Sequence, residues 1–88
     1  MERIVILGAG ESGTGAAILA AKHGNDVFVS DSGKVKDQYR QVLQSHHIPF
    51  EEGQHSPARI LNADLVIKSP GIPEKAPIMK EIRGKGIQ

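Results

Sequence analysis

The residues best suited to chemistry form a glycine-rich run near the amino terminus. The run Gly8-Ala9-Gly10-Glu11-Ser12-Gly13 fits the pattern G-x-G-x-x-G. Gly8 permits a tight turn, Gly10 lets a phosphate approach the backbone, and Gly13 lets a following helix pack closely on a preceding strand. The N–H groups and the dipole of that helix attract an anion. Between a strand and a helix, this pattern predicts a binding site for the phosphates of a nucleotide.

Two polar side chains of the same run have competing roles. Glu11 places a carboxylate beside the expected phosphate, so we expect its side chain to point outwards while its backbone N–H binds the anion. Ser12 either caps the helix through its hydroxyl, which is the commoner role, or donates to the phosphate. Both roles of Ser12 stay open at this point.

An acidic residue stands where a nucleotide site needs one. Asp31 closes the second strand pattern, 18 residues after Gly13, and would accept hydrogen bonds from ribose hydroxyls or a base N–H. The alternative is a solvated turn residue at an exposed strand end, followed by Ser32 and Gly33. No Arg follows Asp31 directly, which disfavours a 2′-phosphate and therefore NADP.

A rigid turn, Ser69-Pro70-Gly71-Ile72-Pro73, follows the fourth strand pattern. In an open parallel sheet that strand is expected beside the first, at the switch point where ligands bind. Gly71 would then face the glycine-rich run and leave flat space for a ring against the backbone. A purely structural strand-to-helix loop is an equal alternative.

The remaining polar residues do not form a reaction centre. The chain has no Cys, and its histidines are not spaced as a metal site: they are His23, His46, His47 and His55. Neither a nucleophile–base arrangement nor the phosphate-binding motif G-x-x-x-x-G-K-[ST] occurs. We therefore expect no metal site and no catalysis by this chain alone.

The composition excludes several classes of function. The 88 residues carry 11 Lys and Arg against 10 Asp and Glu, with two Phe, one Tyr and no Trp. The resulting net charge of +1 and the few aromatic rings argue against nucleic-acid binding. No membrane span is expected, because the longest weakly polar run, residues 13–21, is shorter than the roughly 20 apolar residues required. With no signal peptide pattern and no Cys, a cytoplasmic location is predicted.

The elements that must position these residues alternate between strand and helix. Strands are predicted at residues 4–7, 27–29, 48–51 and 64–67, and helices at 12–23, 36–47, 57–62 and 77–83. Continuous aliphatic runs such as Ile4-Val5-Ile6-Leu7 are typical of parallel strands buried on both faces. We predict one α/β domain over residues 1–88, a Rossmann-like open parallel sheet of order 3-2-1-4 with helices on both faces. A fifth strand is expected to begin at Ile87-Gln88, beside the fourth.

The length of the chain limits the ligand. A full dinucleotide site is built from two such halves and takes roughly 150 residues, whereas this chain supplies one half. It is better matched to a nucleoside diphosphate whose remaining part extends into another domain. Two alternatives stay open: an NAD-binding regulatory module or dehydrogenase fragment, in which Asp31 binds an adenosine ribose, and a scaffold without a ligand.

Three segments together resemble the N-terminal domain of the Mur ligases, most closely the members that add D-glutamate. They are ILGAGESG at residues 6–13, VSDS at 29–32 and ADLVIKSPGI at 63–72. Many Rossmann proteins share the glycine motif, but its combination with A-D-L-V-x-x-S-P-G-I is typical of Mur ligases. The similarity spans nearly the whole chain.

The resemblance implies that this domain holds the UDP part of UDP-N-acetylmuramoyl-L-alanine during peptidoglycan synthesis. By that resemblance Glu11 and Ser12 would contact the diphosphate. Asp31 and Ser32 would bond the uracil edge, and Gly71 would lie against the uracil face.

The resemblance also concerns parts of the ligase that this chain does not supply. Gly33 stands where relatives carry a longer side chain, so stacking on the second face of the uracil is not implied. A central domain would bind ATP and Mg²⁺, and a C-terminal domain would bind the incoming amino acid. The whole enzyme would be an ATP-dependent, amide-forming ligase.

Overall fold

Strands and helices alternate along the chain. The computed structural model describes residues 1–87, and its elements are β1 (Arg3–Leu7), α1 (Glu11–Lys22), β2 (Asp26–Asp31), α2 (Asp37–Ser45), β3 (Phe50–Glu52), α3 (Pro57–Ile60), β4 (Leu65–Lys68) and α4 (Pro77–Gly84). Among these residues, no helix is both long enough and apolar enough to cross a bilayer.

The strands form one parallel sheet in the order β3-β2-β1-β4. The central strand β1 pairs on one side with β2, where Ile4 is opposite Val27, and on the other with β4, where Ile4 is opposite Leu65. The predicted fold class and strand order are confirmed, whereas the fifth strand predicted to begin at Ile87-Gln88 extends past the described residues. Since the strands are parallel, their carboxyl ends lie at one edge of the sheet, and the loops after them meet there.

Alternate residues of β1 and β2 supply two hydrophobic cores, one on each face of the sheet. On the first face Ile4, Ile6 and Val29 pack with residues of α1 and α2, among them Ala17 and Leu43. On the second face the core contains residues from β1, β2, α3 and α4, namely Val5, Leu7, Phe28, Ile60, Ile78, Met79 and Ile82. Helices therefore cover both faces, as the continuous aliphatic runs predicted.

The second helix is shorter than the sequence pattern predicts. The pattern extends to residue 47, but α2 ends at Ser45, and His47 adopts a left-handed conformation with φ +56°. This turn lets the Ile48 N–H donate to the Leu43 carbonyl at 2.9 Å and places Ile48, only 4% exposed, in the first core. Burial of Ile48 outweighs the cost of that backbone conformation, and no glycine marks the turn in the sequence.

Strand boundaries also differ by one or two residues. β2 continues through Ser30 and Asp31, β3 covers Phe50–Glu52 rather than 48–51, and β4 covers Leu65–Lys68 rather than 64–67. The apolar run marks only the buried part of a strand, while backbone pairing extends to polar neighbours. Because β2 extends to Asp31, the alternation of side chains along the strand places Ser30 and Asp31 on opposite faces of the sheet.

Candidate functional site

The loops after β1, β2 and β4 are tied together at the carboxyl edge of the sheet. The Gly8 N–H donates to the Ser30 carbonyl at 2.8 Å, and the Ser69 N–H donates to the Leu7 carbonyl at 2.8 Å. The glycine-rich loop therefore leaves the sheet between the other two loops. This position is the switch point of the sheet. The chain adds β2 and β3 on one side of β1 and then crosses over to add β4 on the other side.

The glycines of the loop have different surroundings. Gly8 has φ +103°, and a Cβ there would lie 2.6 Å from the Cβ of Ser69, so both the backbone conformation and the close approach of the β4–α4 loop require glycine. A Cβ on Gly13 would overlap the carbonyl oxygen of Gly8, which shows the close helix packing predicted for this position. Gly10 is exposed, and a Cβ added to it would have no atom within 4 Å, so a ligand has room to approach it.

The helix α1 begins one residue earlier than expected. Gly10 occupies the N-cap position without a side-chain cap, and Glu11 and Ser12 lie in the first turn with exposed side chains. The capping role considered for Ser12 is therefore wrong, because Gly10 holds the N-cap position and Ser12 lies inside the helix. The first N–H groups of a helix have no acceptor within it and point out of its N-terminus. They lie beside the open space at Gly10.

Asp31 holds the glycine-rich loop in place. One carboxylate oxygen accepts the Ala9 N–H at 2.8 Å and the other accepts the Gly33 N–H at 2.9 Å. The side chain is partly buried, so the interpretation of a solvated turn residue at an exposed strand end is wrong. A carboxylate has about four acceptor positions, and some stay available to a ligand. The contact with Ala9 joins two loops, so nothing local in the sequence signals it.

A cleft of about 380 Å³ opens between the β2, β3 and β4 loops, and we call it the apolar cleft. Its wall comes mainly from the β4–α4 loop and the start of α4, and its lining includes Ser32, His55, Gly71, Ile72, Pro73 and Ile78. Hydrogen bonds fix the loop, since the Ile72 N–H donates to the Ser69 carbonyl at 3.0 Å and the Lys68 ammonium donates to the Ile72 carbonyl at 3.1 Å. Gly71 is exposed, and a Cβ added to it would meet only the Ser69 hydroxyl, at 3.9 Å.

A second cleft of about 300 Å³ lies on the other side of the β2 end, and we call it the loop cleft. Its lining residues are Ala9, Gly10, Glu11, Asp31, Lys34, Lys36 and Tyr39. Of the predicted site residues, Gly10, Glu11 and Asp31 line the loop cleft, Ser32 and Gly71 line the apolar cleft, and Gly8, Ser12 and Gly13 line neither. Side chains alternate between the two faces along a strand. Asp31 lies on the face of α1 and α2, whereas Ser30 lies on the face of α3 and α4.

A polar network that the sequence patterns do not predict lies below the apolar cleft. The hydroxyl of Ser30, which is 0% exposed, lies 2.8 Å from a Glu51 carboxylate oxygen and 2.7 Å from Nδ1 of His55. The same carboxylate accepts the backbone N–H of Ser56 at 2.8 Å and its hydroxyl at 2.5 Å. Partial burial acts to raise the pKa of Glu51, but hydrogen bonds from Ser56 and Ser30 and the charge of Arg59 hold it below its usual value.

The sequence contains a weak signal for this network. Ser30 and Glu51 are register partners across β2 and β3, so their side chains share a face of the sheet. A polar residue that follows the apolar run of a buried strand and is paired with an acidic residue of the neighbouring strand, as Ser30 is with Glu51, indicates a buried hydrogen bond. Weighing His55 only as a metal ligand misses this contact. Ser56 occupies the N-cap position of α3, but its hydroxyl donates to Glu51 and does not cap the helix.

Comparison with known proteins identifies relatives along nearly the whole chain. Residues 3–78 match the family described as the MurD N-terminal domain. The UDP-N-acetylmuramoylalanine–D-glutamate ligase of Bacteroides thetaiotaomicron is 58% identical over 86 residues, covering 98% of this chain and 19% of that protein. The enzyme of the same name from Cytophaga hutchinsonii is 56% identical over 87 residues, covering 99% and 19%.

A solved structure shows the same arrangement of elements. The UDP-N-acetylmuramate-alanine ligase of Thermotoga maritima superposes with a TM-score of 0.83 at 25% identity, over 99% of this chain and 20% of that chain. The chain spans about a fifth of the length of the curated relatives it matches.

Proposed function

This chain belongs to the MurD N-terminal domain family, and from that premise we propose that it binds the UDP part of UDP-N-acetylmuramoyl-L-alanine within an ATP-dependent ligase of peptidoglycan synthesis. One observation carries the proposal. The open backbone at Gly10, the N-terminus of α1 and the apolar cleft meet at one edge of the sheet. A nucleoside diphosphate needs these two environments side by side, one for anionic oxygens and one for a flat ring.

The diphosphate is assigned to the glycine-rich loop. Backbone N–H groups at Glu11 and Ser12 begin α1, and the helix dipole favours negative charge there. The Ser12 hydroxyl is exposed beside them and would donate to a phosphate oxygen. Lys34 and Lys36 line the adjoining loop cleft and add positive charge, which offsets the exposed carboxylate of Glu11.

The uracil ring is assigned to the apolar cleft. Gly71 presents backbone without a side chain, so a flat ring would rest against it, and Ile72 and Pro73 supply apolar contact beyond. Ser32 lies across the cleft and would bond the edge of the ring. Asp31 contributes by holding the loop between the clefts and retains acceptor positions for the ligand.

The remaining steps of the ligase reaction are proposed for other parts of the enzyme. ATP, Mg²⁺ and D-glutamate would be bound by the other domains that the Mur-ligase resemblance implies. The cytoplasmic location expected from the sequence belongs to the same proposal. In this proposal the chain holds the nucleotide and catalyses nothing by itself.

Titration of the 88-residue chain followed by amide chemical shifts tests the proposal, with UDP, UMP, NAD and AMP at equal concentrations. We expect saturable shifts for UDP at residues 8–13, 31–33, 69, 71 and 72, since Pro70 and Pro73 have no amide N–H. Larger shifts with NAD than with UDP would favour the dehydrogenase-type alternative and overturn the proposal. No saturable shift with any nucleotide would leave the scaffold interpretation.

Two glycine-to-valine variants, one at the start of α1 and one further along it, test where the diphosphate binds. Gly10→Val fills the open space where the phosphate would approach, so we expect UDP binding to weaken roughly tenfold or more while the fold is kept. Gly15 is also exposed, with no atom within 4 Å of its Cβ position, but it lies one turn further along α1. Gly15→Val should bind UDP as the wild type does; equal affinity for Gly10→Val would show that the diphosphate lies elsewhere.

A further inference from the structure

The β4–α4 loop, residues 69–76, forms much of the wall of the apolar cleft. Four of its residues line the cleft: Gly71, Ile72, Pro73 and Ala76. Its backbone hydrogen bonds beyond Ser69 are local, since the Ile72 N–H donates to the Ser69 carbonyl and the Ala76 N–H to the Pro73 carbonyl. Such bonds shape turns within the loop, but they do not fix the position of the loop relative to the sheet and to α4.

Arg83, in the last turn of α4, donates two hydrogen bonds to one residue of this loop. One guanidinium nitrogen lies 2.8 Å from a Glu74 carboxylate oxygen, and another lies 2.7 Å from the Glu74 carbonyl oxygen. A planar guanidinium makes two such bonds at once, and bonds between charged groups are stronger than neutral ones. The end of α4 therefore holds both the side chain and the backbone of Glu74.

Lys68, the last residue of β4, holds the same loop from the strand. Its ammonium donates to the Ile72 carbonyl at 3.1 Å and lies 3.5 Å from the other Glu74 carboxylate oxygen. Because Ile72 and Glu74 flank Pro73, these contacts lie on both sides of a residue that lines the cleft. The side chain of Lys68 is only 25% exposed, so it has lost much of its contact with water.

Both anchors belong to parts of the molecule that the fold fixes. Lys68 lies opposite Leu7 in the pairing of β4 with β1, and α4 packs into the second core through buried side chains. Pro70 and Pro73 restrict the loop further, since proline fixes φ. A single exposed ion pair contributes little to global stability, but here three charged groups and two backbone carbonyls form one network around one loop.

We propose that Lys68, Glu74 and Arg83, together called the loop clamp, are positioning residues that hold the β4–α4 loop in the conformation that a nucleotide meets. The inference rests on the proposed function. None of the three residues lines the apolar cleft, so they act through the backbone of the loop and not by contact with the ligand. A loop that is already ordered loses less conformational entropy on binding, so the ligand binds more tightly.

Two variants of opposite charge test the loop clamp. Lys68→Met removes a positive charge and Glu74→Ala removes a negative one, and both release contacts to the loop. We expect each to weaken UDP binding roughly three- to tenfold, with little change in Tm because the ion pairs are largely exposed. Since UDP is an anion, a purely long-range effect of charge would instead weaken binding in Lys68→Met and strengthen it in Glu74→Ala.

Calorimetric titration with UDP measures these affinities. Lys80→Met and Glu2→Ala are controls that make the same changes of charge, because both side chains are exposed and neither lines a cleft. Both controls should bind UDP within about twofold of the wild type.

Backbone ¹⁵N relaxation of the ligand-free chain measures the order of the loop itself. At Gly71 and Ile72 we expect order parameters of about 0.85 in the wild type and a fall towards roughly 0.6 in Lys68→Met and Glu74→Ala. Arg83→Lys keeps the charge, but an ammonium lacks the planar fork that bonds the carboxylate and the carbonyl together. Loop order should therefore fall in Arg83→Lys as well.

The outcomes separate the loop clamp from the proposed function. If the wild type binds UDP and Glu74→Ala binds it as tightly or more tightly, the positioning role is overturned while the proposed function stands. Unchanged order parameters in Lys68→Met and Glu74→Ala would overturn it as well. If the wild type binds no UDP, the proposed function fails, and the relaxation data alone decide whether the three side chains order the loop.

Discussion

The carboxylate of Asp31 accepts the N–H groups of Ala9 and Gly33 and so joins two loops of the nucleotide edge. Ala9 is 2% exposed, which means that water cannot replace the carboxylate as its acceptor. Asp31, which the sequence motif predicts to bind the ligand, therefore also supports the loops around the site. Substitutions at this position must therefore be judged on stability as well as on affinity.

Asp31→Ala should lower the free energy of unfolding by about 1–3 kcal/mol, because it leaves the buried Ala9 N–H without an acceptor. For a domain of this size, that corresponds to a fall in Tm of several degrees, at roughly 4–8 °C per kcal/mol. Thermal unfolding followed by circular dichroism measures it. Asp37→Ala, at the exposed start of α2, is the control and should change Tm little. An unchanged Tm for Asp31→Ala would contradict the loop-holding role.

Two glycines of α1 should respond oppositely to the same substitution. Gly13→Ala forces a methyl group against the Gly8 carbonyl and should destabilise the chain by about 1–3 kcal/mol. Gly15 faces open space, so Gly15→Ala should stabilise it by roughly 0.5–1 kcal/mol through lower backbone entropy in the unfolded state. Urea unfolding of both variants measures the difference. Destabilisation by Gly15→Ala, or none by Gly13→Ala, would show that the helix contacts the loop differently.

At the level of elements, the Glu51 carboxylate connects β3 to β2 through Ser30 and to the start of α3 through Ser56. The Arg59 guanidinium of the short helix α3 also lies 4.2 Å from the centre of the Phe28 ring. Together these contacts hold an edge strand of three residues against the sheet. Such a strand has few backbone hydrogen bonds of its own.

The Glu51 network should make stability depend on pH on the acid side. The folded-state pKa of Glu51 lies below its ordinary value of 4.5, so the unfolded chain takes up this proton more readily than the folded one. Its contribution to stability is complete above that value and is lost as the pH falls through the folded-state pKa. Urea unfolding of wild type and Glu51→Gln at pH 7 and at successively lower pH measures the contribution.

The free-energy difference between wild type and Glu51→Gln should shrink as the pH falls below 4.5. Glu74 is the control: its pKa is also lowered, chiefly by a hydrogen bond from Arg83, but the group is exposed and lies in the β4–α4 loop. Glu74→Gln should leave most of the acid-side slope in place. A difference for Glu51→Gln that stays constant across this range would show that its carboxylate is not favoured in the folded state.

At the level of the whole molecule, β1 is shared by both cores. Ile4 and Ile6 face α1 and α2, while Val5 and Leu7 face α3 and α4. The exposed fraction of each of these side chains is at most 5%. A strand buried on both faces couples the two layers of helices, because neither layer can separate from the sheet without exposing the core it covers.

Leu43→Ala should therefore destabilise the whole molecule and not only the layer of α2. Leu43 is 0% exposed, and truncating such a leucine costs about 2–5 kcal/mol. Hydrogen exchange read residue by residue measures the effect on both faces. We expect protection to fall in α4 as well as in α1, whereas Leu19→Ala, at a side chain 59% exposed, should change little. Loss of protection confined to α1 and α2 would show that the two layers unfold separately.

The architecture of this protein, and the edge of the sheet where its candidate site is expected, could be predicted from the amino-acid sequence. Aliphatic runs define buried parallel strands, and the glycine-rich run and the Ser69–Pro73 turn follow two of them. Once strand order is known, both segments must lie at the same edge. These features follow from local hydrophobic patterning and backbone conformation, which a sequence displays directly.

Which side chains face each cleft, and which groups they bond within the chain, could be known only from the three-dimensional structure. The contact of Asp31 with Ala9, the start of α1 at Gly10 and the hydrogen bond between Ser30 and His55 depend on how loops distant in sequence approach one another. The stop of α2 at Ser45 depends on the burial of Ile48. A hydrogen-bond partner is chosen by distance and direction in space, and the spacing of residues along a chain does not specify these until the sheet has brought the loops together.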